Sequence, residues 1–208
     1  MKYKKYFRKT SLKQKNIGDL FLNIVEEKNP KTFLEIGVFH GVTARNVCEL
    51  MFQNHGDNFN YIGIDIFDSS DTYEKEVVPS KTFNNPFKTF YFKYIKKQNP
   101  YSLIAVKDLL SKFKKNIKII QGDTNQILHE VSLKNIDFIF IDGGHDYKTV
   151  KNDLEQSLKI ISKNGTILCD DWNLSQALGV REAIKDFSKE QNVNFEIVHE
   201  RFAQFYLQ

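Results

Sequence analysis

The amino-acid sequence predicts an α/β domain built on a doubly wound, mostly parallel sheet of seven strands. Short apolar runs alternate with amphipathic segments along most of the chain, and glycines or acids recur directly after the apolar runs. Strands that alternate with helices at this spacing are typical of βαβ units, and right-handed crossovers place the helices on both faces of the sheet. With 208 residues, we expect a single domain over residues 1–208.

The first four elements follow from two patterns. Apolar residues three and four positions apart predict a helix over 17–25, and an apolar run that ends at Gly37 predicts a buried strand over 32–36. The same patterns predict a second helix over 42–52 and a second strand over 61–66.

The alternation resumes near residue 106 and continues to the end of the chain. A near-continuous apolar run over 136–141 predicts a strand that is buried on both faces. In chain order, the predicted elements are helix 106–113, strand 117–120, helix 124–130, strand 136–141, helix 147–161, strand 165–168, helix 180–187, and strands 195–198 and 203–206.

Residues 68–107 interrupt the alternation with a segment of about forty residues that is rich in lysine, phenylalanine and tyrosine. A connection this long in a compact domain is usually functional or disordered, and its aromatic content argues against plain disorder. Two interpretations stay open: a lid over a ligand site, and a packing or oligomer contact.

The net charge of +4 is concentrated in a basic N-terminal arm, residues 1–16. Its first 15 residues contain seven lysines and arginines and no acid, so the remaining chain has a net charge of −3. A mildly acidic body does not form a nucleic-acid-binding face, and we expect no nucleic-acid partner. We expect the arm to be a solvated tail or to pack on a neighbouring subunit, which leaves a homo-oligomer open.

The cysteines and the apolar runs bear on the compartment. Cys48 and Cys169 lie inside apolar segments, which predicts buried thiols in a reducing cytoplasm. No run approaches the roughly 20 apolar residues of a membrane span, and the N-terminus lacks the apolar stretch of a secretory signal. We therefore expect a cytoplasmic protein with no membrane partner.

Glycines and acids at the strand ends carry the first functional signal. Glu35, Gly37 and Gly41 surround the end of the first predicted strand, where glycines allow a tight turn and a close approach to a ligand. Asp65 ends the second strand and Asp123 follows the third. Open α/β sheets bind ligands at this carboxyl edge, where a carboxylate such as Asp65 can accept both hydroxyls of a ribose.

The turn resembles the first motif of class I methyltransferases, which use S-adenosyl-L-methionine (SAM). The chain keeps Glu35, Gly37 and Gly41 and has Phe39 where a middle glycine is usual. The resemblance implies a Rossmann-like fold and a SAM site formed by Glu35, Gly37, Gly41, Asp65, Asp123 and Asp142, with Asp123 beside the adenine. His40, inside the turn, could contact the carboxylate of SAM or the acceptor.

A second motif is more specific. The run 141–147, with the sequence IDGGHDY, precedes the pattern VxxDL at 150–154 and the pair Asp170-Asp171. These motifs resemble the metal-dependent O-methyltransferases, most closely the branch that acts on sugar hydroxyls of macrolides and related natural products. The resemblance implies a small-molecule acceptor with a sugar or diol group, and it implies that Asp142, Asp170 and Asp171 bind one divalent ion.

The chemistry of the residues agrees with this interpretation. Three converging carboxylates repel one another unless a cation lies among them, and oxygen ligands favour Mg²⁺, with Ca²⁺ or Mn²⁺ as alternatives, over zinc. The metal would lower the pKa of a bound hydroxyl. His145 is the candidate general base because its ordinary pKa suits that task, and Asp146 is a weaker candidate. Capping of the following helix, or contact with SAM, is the structural alternative for His145.

Other functions fit the sequence less well. A nicotinamide dehydrogenase would carry GxGxxG, and a nucleic-acid base methyltransferase would usually carry an Asn-Pro-Pro-aromatic motif where 142–145 stands. Two alternatives stay open: a non-catalytic SAM-binding or scaffold domain in a polysaccharide or natural-product pathway, and a metal-independent small-molecule methyltransferase.

Overall fold

A computed structural model describes residues 1–67 and 83–207 and contains one seven-stranded sheet. The strand order is β3-β2-β1-β4-β5-β7-β6, in which β1 to β5 run parallel to one another and β7 is antiparallel to both β5 and β6. The strands are β1 (Thr32–Ile36), β2 (Asn60–Asp65), β3 (Ile117–Gln121), β4 (Ile136–Ile141), β5 (Ile161–Cys169), β6 (Asn194–Val198) and β7 (Phe202–Tyr206).

Seven α-helices connect these strands in the described parts of the chain. They are α1 (Ile17–Lys28), α2 (Val42–His55), α3 (Pro86–Phe90), α4 (Leu103–Leu109), α5 (Thr124–Glu130), α6 (Tyr147–Ile160) and α7 (Leu178–Gln191). The predicted fold class, a doubly wound and mostly parallel seven-stranded sheet, is confirmed. None of the helices in the two described ranges is long and apolar enough to cross a membrane.

The sheet is buried on both faces, which explains the near-continuous apolar runs of its central strands. Side chains alternate between the two faces: Phe33 and Phe140 pack into the cluster that contains α1, α2 and α4. Their chain neighbours Leu34 and Ile139 pack into the opposite cluster, with α5, α6 and α7.

The strand order reverses between β1 and β4. The connection from β1 leads to β2 on one side, whereas the chain later returns to pair β4 with the other side of β1. In open α/β sheets this switch point leaves a crevice at the carboxyl ends of the strands, where ligands bind. The topology therefore places the turn at Gly37 and the end of β4 at the mouth of one crevice.

Two predicted boundaries are wrong for identifiable reasons. The helix predicted over 106–113 begins earlier and ends at Leu109, because Leu110 leaves the helical region and a short 3₁₀ turn, Ser111–Phe113, follows. Strand β5 begins at Ile161, directly after α6, and not at Gly165, since Ile161 already pairs with Ile136. The first residues of β5 are partly or fully exposed, so they lack the apolar signal of a buried strand.

The N-terminal arm packs on its own chain, so the expectation of a solvated tail is wrong. Tyr3 is buried, and its hydroxyl shares hydrogen bonds with Thr10 (2.8 Å) and Thr43 (2.9 Å). The backbone of Lys4 exchanges two hydrogen bonds with the Asn46 side chain. The basic residues favour a solvated tail, but the aromatic and hydroxyl side chains between them hold the arm against α1 and α2.

The described part of the insert, residues 83–107, is ordered around aromatic side chains. It contains α3 and a π-helical stretch, Tyr91–Ile95. Phe92 and Tyr101 are buried, and Phe92 stacks on Phe83 with a centroid distance of 5.3 Å. Residues 68–82 of the predicted lid lie outside the described residues, and a lid function stays a prediction.

Candidate active site

A cavity of about 1070 Å³ lies at the switch point, between the strand ends on one side and the arm and insert on the other. It is larger than the 300–1,000 Å³ that is typical of small-molecule sites, so it has room for two ligands. The strand-end side chains and glycines that line it are Glu35, Gly37, Asp65, Gly122, Asp123, Asp142, Gly143 and Asp171. The structure thus brings most of the predicted site residues to one cavity.

The glycine turn after β1 is shaped for close backbone contact. Gly37 has φ +90°, and a Cβ atom there would lie 2.0 Å from the carbonyl oxygen of Asp142. Gly41, with φ +73°, is the N-cap of α2 and does not line the cavity. Since only glycine tolerates both the conformation and the contact at Gly37, β1 and β4 can end side by side at the site.

Glu35 is fully buried below this turn. Its Oε2 accepts a hydrogen bond from the Tyr61 hydroxyl, and its Oε1 has no hydrogen-bond partner among the described residues. Burial, opposed by the Tyr61 hydrogen bond and assisted by nearby Asp65, raises the pKa of Glu35 from 4.5 to about 8. An unsatisfied buried oxygen on the cavity lining is what a donor group of a ligand, such as the amino group of SAM, would complete.

The raised pKa of Glu35 makes stability depend on pH. Between about pH 5 and 8 the unfolded chain ionises this carboxyl while the folded protein keeps the proton, so stability falls as pH rises. We expect Glu35→Gln to reduce the fall of stability with pH by at most ~1.4 kcal/mol per pH unit, the contribution of this one carboxyl. Urea unfolding of the ligand-free protein across pH 5–8 measures it. Glu27→Gln, at an exposed position of α1, should keep the wild-type slope, and an unchanged slope in Glu35→Gln would contradict the shift.

Asp65 lies at the end of β2 with its carboxylate already hydrogen-bonded by the chain. Oδ2 accepts from the backbone N–H of Phe39 at 2.7 Å, and Oδ1 accepts from the Phe67 N–H and the Tyr101 hydroxyl, both at 2.8 Å. Asp65 thus holds the turn at Phe39, whose φ of +51° is unusual for a bulky residue. Binding of ribose by Asp65 stays a prediction, and it requires sharing the position with the Tyr101 hydroxyl.

Two other acids cap helices. The Asp123 side chain accepts from the Asn125 N–H and caps α5, while it also lines the cavity. Asp146 caps α6 by accepting from the Thr149 N–H, and its side chain is exposed. Asp146 does not line the cavity, and its role as a weaker candidate for the general base stays a prediction, as does adenine contact by Asp123.

Asp142, Asp170 and Asp171 form the predicted acid cluster, with one oxygen of each within 4.8 Å of the others. Burial first, and then repulsion from Asp170 and Asp171, raises the pKa of Asp142 well above its ordinary value. Burial likewise raises the pKa of Asp170 to about 6, against the opposing effect of a hydrogen bond from Arg201. The described residues therefore do not supply enough positive charge to balance the three carboxylates.

Arg201 is the cation that the sequence analysis missed. Its Nε and Nη2 donate to the two oxygens of Asp170, each at 2.6 Å, and Nη2 lies 3.8 Å from Asp171 Oδ1. Both Arg201 and Asp170 are buried, 6% and 2% exposed. Arg201 reaches the acids because β7 pairs antiparallel with β5 in a register that sets Ala203 opposite Cys169, which brings the residue two positions earlier beside Asp171.

The acid cluster still fits a divalent cation. Three carboxylates against one guanidinium leave two negative charges, and oxygen atoms within 4.8 Å of one another suit a hard ion with ligands at about 2.0–2.6 Å. Asp142 and Asp171 are the carboxylates of this set that Arg201 does not engage by a bidentate contact. Asp170 would have to share its carboxylate between the ion and Arg201.

His145 stands at the open side of this cluster. Its Nε2 lies 2.9 Å from Asp171 Oδ2, and its side chain is 41% exposed toward the cavity that it lines. Because an ionised carboxylate only accepts, this contact is consistent with the neutral tautomer that carries its proton on Nε2. Helix α6 is capped by Asp146, so the alternative that His145 caps this helix is wrong.

Ser11 and Tyr101 are two further site residues that the sequence did not predict. The Ser11 hydroxyl donates to Asp142 Oδ2 at 2.6 Å, and the Tyr101 hydroxyl donates to Asp65. Both come from segments that carry no recognisable motif, the arm and the insert. The tyrosines and phenylalanines of the arm and the insert indicate that these segments pack on the domain. The sequence does not indicate which acid each hydroxyl contacts.

Topology, glycine turn and strand-end acids together define a class I, SAM-dependent methyltransferase. A family model described as a methyltransferase domain matches residues 34–172, so the chain belongs to this family. The family prediction is thereby confirmed, although no curated protein matches the chain in sequence.

Solved structures of O-methyltransferases share the fold. NovP has a TM-score of 0.65 at 12% identity, covering 93% of this chain and 78% of NovP. CalS11, a TDP-rhamnose 3'-O-methyltransferase of calicheamicin biosynthesis, has a TM-score of 0.62 at 16% identity, covering 94% and 81%. An O-methyltransferase from Bacillus cereus in complex with SAH has a TM-score of 0.61 at 14% identity, covering 96% and 84%.

Proposed function

We propose that this methyltransferase transfers a methyl group from SAM to a hydroxyl of a sugar or another small diol-bearing acceptor. The observation that carries the proposal is the position of His145 and the acids Asp142 and Asp171, which line the same cavity as the Gly37 turn. The printed activity of CalS11, methylation of a sugar, supports a sugar hydroxyl.

Each part of the site has a role in this reaction. The Gly37 turn and Glu35 would hold the methyl donor, and Asp65 and Asp123 would bind its ribose and adenine. His145 accepts the proton of the acceptor hydroxyl at Nδ1, and Asp171 orients the ring and stabilises the charge that forms on it. Positioning of the hydroxyl against the methyl group supplies a large part of the acceleration.

Asp142, Asp170 and Asp171 would hold a divalent cation, with Mg²⁺ favoured over Ca²⁺ or Mn²⁺ because all three ligands are carboxylates. When bound, the ion would lower the pKa of the acceptor hydroxyl. A metal-independent reaction is the second candidate, and the bidentate contact of Arg201 with Asp170 favours it, since the site then carries its own cation.

Methyl transfer from SAM to a panel of sugars, with Mg²⁺ or with a chelator, tests the proposal. We expect turnover with Mg²⁺, and we expect Asp142→Asn to reduce it by about 10²-fold or more, a magnitude typical of a lost electrostatic stabiliser. Asp57→Asn, at an exposed turn, should leave turnover unchanged.

Three other outcomes are informative. SAM binding without turnover on any acceptor would indicate a non-catalytic SAM-binding domain. Turnover that resists both the chelator and Asp142→Asn would contradict the metal and support the metal-independent candidate. Absence of SAM binding would contradict the assignment of the glycine turn.

A further inference from the structure

The cavity has two halves of opposite charge. The strand ends contribute acids, whereas the arm and α3 contribute cations on the facing side. The cationic side chains of that basic half are Lys5, Arg8, Lys9, Lys13 and Lys88. A segregation of charge within one cavity indicates two ligands, or two parts of a ligand, that differ in charge.

Two of these cations, Lys9 and Lys88, lie over the Phe83 ring beside His40. Arg8 adds positive charge nearby, while its Nη1 and Nη2 donate to the backbone carbonyls of Pro100 and Ala105. The Nζ atoms of Lys9 and Lys88 lie 5.5 Å and 5.6 Å from the centroid of the Phe83 ring, which meets the His40 ring edge-on at 5.6 Å. Burial first, and then the charges of Arg8, Lys9 and Lys88, lowers the pKa of His40 to about 3. His40 is therefore a neutral hydrogen-bonding group inside a positive field.

The His40 ring presents an unsatisfied donor. Its Nδ1 accepts a hydrogen bond from the Lys9 backbone N–H at 3.1 Å, so the ring proton is on Nε2. That Nε2 is buried and has no hydrogen-bond partner within residues 1–67 and 83–207. A buried donor left unpaired is unfavourable, and an oxygen atom of a bound anion would complete it.

SAM does not account for this basic half. It carries an ammonium group and a sulfonium group against a single carboxylate, so it is a net cation, and the half of the cavity with the strand-end aspartates suits it. One carboxylate would engage one or two of the cations at most. The remaining cations lie on the side of the cavity that is left for the acceptor.

We infer that the acceptor is a phosphate-bearing sugar, whose phosphate or pyrophosphate group binds among Lys9, Lys88 and His40, with Arg8 adding positive charge nearby. The inference deepens the proposed function and rests on it for the sugar. Lysine and arginine with a buried N–H donor form a typical phosphate environment, because charge-assisted hydrogen bonds to phosphate are short and strong. The phosphate belongs either to a nucleoside-diphosphate sugar or to a sugar monophosphate.

Isothermal titration of the SAH-saturated protein tests this, with a chelator present so that no cation bridges the probe to the acids. The probes are pyrophosphate, UDP, TDP, glucose 1-phosphate and the neutral methyl glucoside. We expect the phosphate probes to bind, with affinity that falls as salt rises, and the neutral glucoside to bind far more weakly. Tighter binding of UDP or TDP than of glucose 1-phosphate identifies the nucleotide source, and the reverse identifies the monophosphate.

The variants Lys9→Gln and Lys88→Gln should each weaken phosphate binding by about tenfold, the equivalent of one lost charge-assisted hydrogen bond. Lys189→Gln, an exposed lysine on α7, is the matched control and should bind like the wild type. SAH affinity, measured on the same variants, shows that they remain folded.

Two outcomes overturn the inference and leave the proposed function intact: phosphate probes that fail to bind while SAH binds normally, or phosphate probes that compete with SAH. Methylation of neutral sugars at rates that Lys9→Gln and Lys88→Gln do not change would do the same. Conversely, phosphate binding without methylation of any phosphorylated or neutral sugar would contradict the proposed function and not the anion site.

Discussion

Arg201→Met is expected to lower the free energy of unfolding by about 3–5 kcal/mol, the magnitude found when one partner of a buried ion pair is removed. The Arg201 guanidinium supplies two hydrogen bonds of 2.6 Å to Asp170, which is 2% exposed. Without it, Asp170 is left buried among two further carboxylates. Urea unfolding at pH 7, without metal or SAM, measures the loss.

A surface pair supplies the control for Arg201. Lys96→Met breaks an ion pair of 3.5 Å in which both side chains are about half exposed, and it should change stability by less than about 1 kcal/mol. Addition of Asp170→Asn to Arg201→Met should recover part of the loss, because the orphaned charge is gone. A loss below 1 kcal/mol for Arg201→Met would show that Arg201 is not the counter-charge of the cluster.

The same variant separates the two views of the acid cluster. If the carboxylates bind a divalent cation, Mg²⁺ should stabilise Arg201→Met more than the wild type, since the ion gains full access to Asp170 and binds only the folded chain. Absence of stabilisation by Mg²⁺ in both proteins would indicate that the acid cluster binds no divalent cation and that Arg201 alone balances the site.

The sheet could be predicted because its signals are local. An apolar run such as 136–141 predicts a buried strand, and a glycine such as Gly37 predicts a turn, from only a few neighbouring residues. Parallel topology then brings the strand ends to one edge, and the motifs at Asp142 and Asp170-Asp171 follow those ends. The acid cluster could therefore be predicted from the sequence.

The hydrogen-bond partners of those acids could not be predicted, because they come from distant parts of the chain. Arg201 is 31 positions from Asp170, and Ser11 is 131 positions from Asp142. Only the register of the antiparallel β5–β7 pair and the packing of the arm bring them together. The pattern of charged residues in the sequence specifies neither this strand register nor the packing of the arm.

Acids after strands posed a different difficulty. Asp123 and Asp146 both precede helices, where an aspartate serves equally well as a helix cap and as a ligand. The structure shows both capping, yet only Asp123 also lines the cavity. Sequence alone does not separate the two roles, because capping and binding use the same carboxylate at the same edge of the sheet.

His145→Ala is expected to reduce kcat by about 10²–10⁴-fold, the range for a lost general base, with the affinity for SAM unchanged. His145 lies 2.9 Å from Asp171 and faces the cavity, where its Nδ1 can accept a proton. The assay uses the acceptor that the sugar panel identifies. His129→Ala, at an exposed position of α5, should retain wild-type kcat, and added imidazole should restore part of the activity of His145→Ala.

The double variant with Asp171→Asn shows how the two residues cooperate. If Asp171 acts by orienting His145, the double variant should be no slower than His145→Ala, because residues that act as a unit are not additive. If Asp171 acts as a metal ligand, the two losses should multiply, and Asp171→Asn alone should raise the Mg²⁺ concentration needed for half-maximal rate. A kcat of His145→Ala within twofold of the wild type would remove His145 from the mechanism and leave proton removal to water.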